Sequence, residues 1–399
     1  MAITKLSEFY AEMKHLRQVR FDVVNTIASG KKLNKTQLFQ LIEIEEKLRS
    51  IPEKDNFFQL KTAQNESIAL ELDYELGELQ KDSIFLKQGE SALLNYLSEK
   101  HKYFESEIKK GLQFLENKYF DHFVTDRDGT VSNYCGRYQS SVQSIYNALF
   151  LSHFTKTVKG KSIIITSAPL FNIGLADISV QPKTDFILSG SKGRELIDDY
   201  DKKHFFPIDE NQKKKLNQLN SKIEDLLEQN EFSAFRYIGS GLQYKFGQTT
   251  LARQDKNNSI SAEKSLQLKS QIEKIIQKLD PNQETFRLED TGKDLEIMLT
   301  VNEKNQDLLV DFDKGHGLEF ICKTLNINIE NQKILICGDT FSDLPLLTKA
   351  KAMGANVSSI FVTQDEKLMK EAKSLCNDSF IVSSPDVLVA LLKKQSELK

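Results

Sequence analysis

Apolar side chains recur at helical spacing at the start of the chain. Leu6, Phe9, Tyr10, Met13, Leu16 and Val19 fall along one helix face. Gly30 after that run predicts a helix stop, and Asn34-Lys35-Thr36-Gln37 predicts the next start. Further helices are predicted from about Phe57 to Leu79 and from about Lys87 to Leu115. Residues 1–117 hold a single proline, Pro52, and few β-branched runs. They read as a helical bundle, expected to serve in packing, self-association or docking.

The rhythm changes near residue 120. His122-Phe123-Val124-Thr125, Ser162 to Thr166, Asp185 to Ser189, Lys333 to Cys337, Ser359 to Val362 and Phe380 to Val382 are short apolar runs. They alternate with helical stretches such as Ser140 to Phe154. That alternation predicts an α/β fold with a parallel sheet covered on both faces. Ligands bind such sheets beyond the carboxyl ends of the strands. Between them the order is different: a helix over Gln212 to Leu227, strands within Phe232 to Arg253, a helix over Ala262 to Leu279, then strands over Thr285 to Leu288 and Leu295 to Val301. This predicts an inserted α+β cap with an antiparallel sheet. The expected divisions are 1–117 helical, 118–204 first core part, 205–305 cap and 306–399 second core part.

Composition narrows the function classes. The 399 residues are 39% hydrophobic and 28% charged, with a net charge of −3. That balance gives no electrostatic case for nucleic acid or an anionic membrane. No apolar run reaches the roughly 18 residues of a bilayer span. The N-terminus lacks the apolar core of a signal peptide. Cys135, Cys322, Cys337 and Cys376 are scattered, with no CxxC pair. A reducing, cytoplasmic compartment is expected.

The candidate chemistry lies at the strand ends. Phe123-Val124-Thr125-Asp126-Arg127-Asp128-Gly129-Thr130 runs from an apolar strand into a tight loop. A carboxylate such as Asp126 can attack phosphorus and split one hard displacement into two easier ones. Asp128 can hand a proton to the leaving oxygen and later take one from water. An anion attacking a phosphate needs its charge offset, so Mg²⁺ is expected on oxygen ligands. Gly338-Asp339-Thr340-Phe341-Ser342-Asp343 follows a later apolar run. Asp126, Asp339 and the carbonyl of Asp128 are the expected metal ligands, with Asp343 in the outer shell or acting through water. Thr166, or its neighbour Ser167, can hydrogen-bond a phosphoryl oxygen. Lys314, in Asp313-Lys314-Gly315-His316-Gly317, can set an ammonium against phosphate and nucleophile. His316 is expected to be a loop residue.

The order DxDGT, strand-end Thr, Lys, GDxxxD resembles the haloacid-dehalogenase-like phosphohydrolases over about residues 118–399. The resemblance implies a Rossmann-like core, Mg²⁺ and an aspartyl-phosphate intermediate. It makes Asp126 the nucleophile, Asp128 the acid/base, Thr166 and Lys314 the phosphate holders, and Asp339 and Asp343 metal-site acids. A finer resemblance, to trehalose-6-phosphate phosphatases of the nematode type, rests on Asn133-Tyr134-Cys135 after the DxDGT, Gly239-Ser240-Gly241-Leu242-Gln243-Tyr244-Lys245, Ile336 to Pro345, and Val382-Ser383-Ser384-Pro385-Asp386-Val387. Lys192, Tyr244 and Ala168-Pro169 depart from that pattern, all outside the phosphoryl-transfer set. It implies a small-molecule sugar phosphate, with Gln243, Lys245, Glu296 and Arg194 as the expected sugar contacts. Sucrose phosphate and glucosyl-glycerol-type phosphates are the alternative substrates, and a non-catalytic regulatory subunit is the alternative of another class. Residues 1–117 are too short and too helical for a glycosyltransferase, so a synthase step is expected on another polypeptide.

Overall fold

A computed structural model describes residues 3–255, 257–302 and 309–398. The boundary expected between residues 305 and 306 lies outside the described residues. The first apolar stripe forms α1 (Leu6–Ala28) and buries Leu6, Phe9, Met13, Leu16 and Val19. In α2 (Lys35–Arg49), Asn34 caps the helix: its Oδ1 accepts the Gln37 N–H at 2.8 Å, and Gln37 Oε1 accepts the Asn34 N–H at 3.1 Å.

The helix expected from about Phe57 to Leu79 is a correction. Its first half forms a three-stranded antiparallel sheet of β1 (Glu53–Lys54), β2 (Phe57–Lys61) and β3 (Ser67–Leu70). Asp55 and Asn56 take φ of +52° and +65°, the backbone a two-residue hairpin turn demands. Leu60 and Leu70 are buried beneath it. Helix α3 (Asp73–Gln88) begins only after this sheet. The single helix expected over about Lys87 to Leu115 is also two helices. Gly89, at φ +89°, separates α3 from α4 (Glu90–Lys100), and α5 (Phe104–Leu115) follows a break at residues 101–103.

The core begins with β4 (His122–Thr125), α6 (Ile145–Thr155), β5 (Ser162–Ile165), α7 (Leu175–Ile178) and β6 (Ile187–Gly190), then β7 (Glu195–Ile197) and β8 (Lys203–Phe205). The interrupting segment carries α8 (Glu210–Leu227), β9 (Leu242–Lys245), β10 (Gln248–Ala252), α9 (Ala262–Leu279), β11 (Phe286–Asp290), β12 (Asp294–Asn302) and β13 (Leu309–Asp311). The chain then runs through α10 (Lys314–Thr324), β14 (Lys333–Gly338), α11 (Leu344–Ala352), β15 (Asn356–Val362), α12 (Glu366–Leu375), β16 (Ser379–Val382) and α13 (Pro385–Glu397). The large sheet has the order β16-β15-β14-β4-β5-β6-β7-β8. It is parallel from β16 to β6, and the unpredicted β7 and β8 extend it antiparallel.

Strand alternation builds the two covering layers. Phe123, Ile164, Leu335 and Ile360 pack against α5, α6 and α13 on one face. Val124, Ile163, Ile334, Ile336 and Phe361 pack against α10, α11 and α12 on the other. Each such buried side chain contributes about 1.5–3 kcal/mol. Helix α6 is buried at every residue except His153. Phe150 and Phe154 face the sheet, while Ile145, Ala148 and Leu149 pack into a cluster with α1, α2 and α3. That is why its sequence is apolar all round. The second sheet, β11-β12-β10-β9 with β13 on β12, is antiparallel and lies under α8 and α9.

Candidate active site

Both acidic loops leave the carboxyl ends of neighbouring strands. Cys337 pairs with Thr125 across β14 and β4, and the Asp126 N–H donates to Cys337 O at 3.0 Å. The carboxylate oxygens of Asp126, Asp339 and Asp343 come within 4.8 Å of one another. Lys314 is the first residue of α10, whose N-cap Asp313 accepts the His316 N–H at 2.9 Å. Its ammonium donates to Asp126 Oδ1 at 2.6 Å and Asp343 Oδ1 at 2.5 Å. All three side chains are almost fully buried.

Two glycines let the carboxylates approach. Gly129 has φ +87°, and a Cβ there would meet Asp339 Oδ2 at 2.2 Å. A Cβ at Gly338 would meet the Asp343 side chain at 2.4 Å. Asp343 is engaged on both oxygens: Oδ2 accepts the N–H groups of Asp339 and Thr340, each at 3.0 Å, and the Thr340 hydroxyl at 3.1 Å. It therefore shapes the loop and orients Lys314. Thr130 donates to Asp339 Oδ1 at 2.9 Å and approaches Asp126 Oδ2 at 3.4 Å.

Electrostatics agree with a cation site. Burial pushes Asp126 up, Lys314 pulls it back, and Asp343 and Asp128 add repulsion. Burial and the charges of Asp126 and Asp343 push Asp339 up. One ammonium among three crowded carboxylates leaves a deficit of positive charge, and an all-oxygen set suits a metal ion. The three acids fit such an ion.

The remaining predicted phosphoryl-site residues lie close by. Thr166 follows β5, is buried, and accepts the Ala168 N–H at 3.2 Å through its hydroxyl. Asp128 is turned toward Arg127 and Ser141: Arg127 Nη1 pairs with its Oδ1, and Ser141 Oγ donates to the same oxygen at 3.3 Å. His316 lies in the first turn of α10, correcting its assignment to a loop.

A family model of the trehalose-6-phosphate phosphatase C-terminal region matches residues 123–388, and one of that family's N-terminal helical bundle domain matches residues 5–104. The chain belongs to the trehalose-6-phosphate phosphatase family. It is 31% identical to alpha,alpha-trehalose-phosphate synthase (UDP-forming) 2 of Aphelenchoides avenae, over 97% of this chain and 31% of that protein. It is 28% identical to a trehalose-phosphatase of Brugia malayi, over 76% of this chain and 64% of that protein. The chain thus spans about a third of the length of the synthases it matches. A crystal structure of a trehalose-6-phosphate phosphatase related protein aligns at 14% identity and a TM-score of 0.48, covering 69% of this chain and 97% of that one.

In this phosphatase-family chain the cap sheet turns a polar face to the core. Register places Gln243 opposite Thr250 opposite Glu296, and Lys245 opposite Gln248 opposite Met298. These positions share one face. Tyr244 and Thr249 point the other way, to Glu224 and Asn220 on α8. Lys192, on the core loop after β6, donates to Glu296 at 3.2 Å, and its own N–H bonds Thr166 O at 2.8 Å. One short loop therefore connects the Thr166 strand end to the cap. Lys245 is 9% exposed, and no hydrogen bond of its ammonium is seen among the described residues. Burial pushes Lys245 down, with Glu296 opposing and Lys192 adding repulsion. Burial pushes Glu296 up, but Lys245 and Lys192 outweigh it and hold the carboxyl below its ordinary value.

Arg194 sits apart from that face. It is buried at the joint, donating to Gly247 O at 3.2 Å and Leu299 O at 2.6 Å with its guanidinium over Phe312. Those bonds make it a pin between core and cap. Thr130, Arg127, Ser141 and Lys192 join the site without having been assigned roles from sequence. For Thr130 the signal was present, as the last residue of the DxDGT. A cavity of about 640 Å³ lies where Tyr74 and Tyr96, the Asn133-Tyr134 loop and cap residues Ser240 and Asp294 meet, and none of Asp126, Lys314, Asp339 and Asp343 lines it.

Proposed function

We propose that this chain hydrolyses trehalose 6-phosphate to trehalose and phosphate. The observation that carries the reading is the convergence of Asp126, Asp339 and Asp343 around Lys314, within the stretch matched by the phosphatase family model. Asp126 Oδ2 is the freer oxygen of the nucleophile, because Oδ1 is held by Lys314. It attacks phosphorus, the bond from phosphorus to the sugar oxygen breaks, and Asp128 gives that oxygen its proton. Water then attacks the aspartyl phosphate and gives a proton to Asp128. The bond to Asp126 breaks, and phosphate leaves.

Lys314 and Thr166 hold the phosphoryl oxygens, where preorganised donors are worth most. Asp126, Asp339 and the Asp128 carbonyl, with Asp343 behind them, would hold Mg²⁺, which would supply charge neutralisation at the phosphoryl group. Gln243, Lys245 and Glu296 select the sugar from the cap. Lys245, a 9% exposed residue whose ammonium has no hydrogen bond among the described residues, supports that assignment, since a donor on a largely covered side chain calls for an acceptor. The four cysteines are buried and free, which supports a reducing, cytoplasmic setting.

The test is phosphate release with Mg²⁺ across trehalose 6-phosphate, sucrose 6-phosphate, glucosyl-glycerol phosphate and simpler esters. Trehalose 6-phosphate is expected to give the highest kcat/KM, and Asp126→Asn to abolish turnover in a folded protein. Preference for another ester overturns the substrate, and turnover by Asp126→Asn overturns the mechanism.

A further inference from the structure

The acid/base Asp128 is linked to the helical region by hydrogen bonds to Arg127 and Ser141 and, one residue along the backbone, by hydrogen bonds to Val142. Its Oδ1 is gripped by Arg127 and Ser141. Arg127 also donates to Ser141 twice, to Oγ at 2.9 Å and to the carbonyl at 2.5 Å. Ser141 is followed by a segment with no regular structure before α6. That segment is fixed by three side chains from the helical region. Arg20 of α1 donates to Val142 O at 2.9 Å, and Tyr74 of α3 donates to the same carbonyl at 3.1 Å. Asp82 of α3 accepts the Ile145 N–H at 2.7 Å, capping α6, and pairs with Arg20 at 2.7 Å. Arg20 and Asp82 are each 1% exposed in their side chains. The loop beyond Asp128 is held from α3 as well, because Asn133 donates to Glu78 at 3.1 Å and to Asp386 at 2.9 Å, while Lys81 pairs with both acids.

We propose that the N-terminal helices act as a positioning element for the acid/base: Arg20, Tyr74 and Asp82 fix residues 141–145, and Ser141 with Arg127 passes that constraint to Asp128. The proposal rests on the proton-transfer role given to Asp128 above. Aligned hydrogen bonds in a low-dielectric interior hold geometry tightly. A small displacement of a proton donor is costly when the leaving group needs its proton. A sugar alkoxide needs that proton, whereas p-nitrophenolate leaves without it. The constraint therefore matters for one ester and not the other.

The measurement is kcat/KM, which reports the steps through loss of the leaving group, for trehalose 6-phosphate and for p-nitrophenyl phosphate. Arg20→Ala breaks a buried ion pair and is expected to unfold the protein, so Tyr74→Phe and Ser141→Ala are the variants used, each first checked by thermal melting. Asp128→Asn is the reference and is expected to lose much more on the sugar ester than on the aryl ester. Tyr74→Phe and Ser141→Ala are expected to show the same bias, with losses of about tenfold on trehalose 6-phosphate, below the full range for general acid catalysis, and less than about twofold on the aryl ester. Equal losses on both esters, or no loss on either, overturn the positioning role while Asp128→Asn remains selective. An unselective Asp128→Asn overturns the role given to Asp128, and the proposal falls with it.

Discussion

Lys314 Nζ lies 2.6 Å from Asp126 Oδ1, although the two residues are 188 positions apart. The first turn of α10 and the end of β4 bring them together in the interior. The ammonium also bonds Asp343, so its removal strands two buried carboxylates. Lys314→Met is expected to cost about 3–5 kcal/mol of stability in a urea titration, as when one partner of a buried pair is deleted. Activity should fall at least about 100-fold, the scale of one lost donor to a reacting centre. Adding Asp343→Asn should recover part of the stability and none of the activity. An unchanged urea midpoint in Lys314→Met would show that the pair contributes nothing to the fold.

The crowding of Asp339 with Asp126 and Asp343 leads to a metal-removal test. EDTA is expected to silence phosphate release, with Mg²⁺ restoring it. Saturating Mg²⁺ should also stabilise the folded chain, by about 2.7 kcal/mol at a hundredfold excess over Kd. Asp339→Asn should lose that stabilisation and the activity together. Full turnover in EDTA, or a melting shift that survives Asp339→Asn, would refute the assigned ligand set.

That Asp126, Asp339, Asp343 and Lys314 would lie together was legible because each sits beside a local signal. Apolar strands led into Asp126 and Asp339, two glycines followed Lys314, and strand ends converge in a parallel sheet. The cap was legible for the same reason: helices and strands of distinct period fell in order, and α9 occupies the predicted Ala262–Leu279. The small sheet at residues 53–70 was missed. Its strands are only two to five residues long, too short to show a clear period, and the deciding signal is the pair Asp55-Asn56 in left-handed backbone. Arg127 and Ser141 carry no motif of their own. Their part depends on where α1 and α3 pack, and no local pattern encodes a contact between Arg20 and the Val142 carbonyl. Arg194 was expected at the sugar because it lies at the junction, yet two backbone carbonyls of the cap take its guanidinium.

Lys245 gives the sharpest test of the cap. It lies on the core-facing side of the cap sheet, buried beside Glu296, and no hydrogen bond of its ammonium is seen among the described residues. A charge-assisted hydrogen bond to a sugar hydroxyl is worth about 1.5–3 kcal/mol. Lys245→Ala is therefore expected to lower kcat/KM for trehalose 6-phosphate by roughly 10- to 100-fold. The loss on p-nitrophenyl phosphate, which has no sugar, should be several-fold smaller. Glu296→Gln should follow the same pattern and also weaken the tie to Lys192 across the joint. Parallel losses on the two esters would remove Lys245 from the list of sugar contacts.

Glu75 supplies a prediction in pH. It lies on α3 against Cys135 and Ser140, 3% exposed. Burial pushes its carboxyl up to about 7 from 4.5, with Ser140 and Arg137 pulling the other way. Below pH 4.5 the group is protonated in the folded and unfolded chains alike, and the shift has no effect. As pH rises from 4.5 toward 7, the unfolded chain releases the proton while the folded chain keeps it. Stability must fall over that window, and it levels off above pH 7 once both states are ionised. Glutamine cannot ionise, so Glu75→Gln escapes the penalty. Its urea midpoint relative to wild type should climb between pH 4.5 and 7, by a free energy on the order of 3 kcal/mol at most, and stay level at higher pH. A difference between the two proteins that does not vary across this range would mean that Glu75 is ionised in the fold at its ordinary pKa.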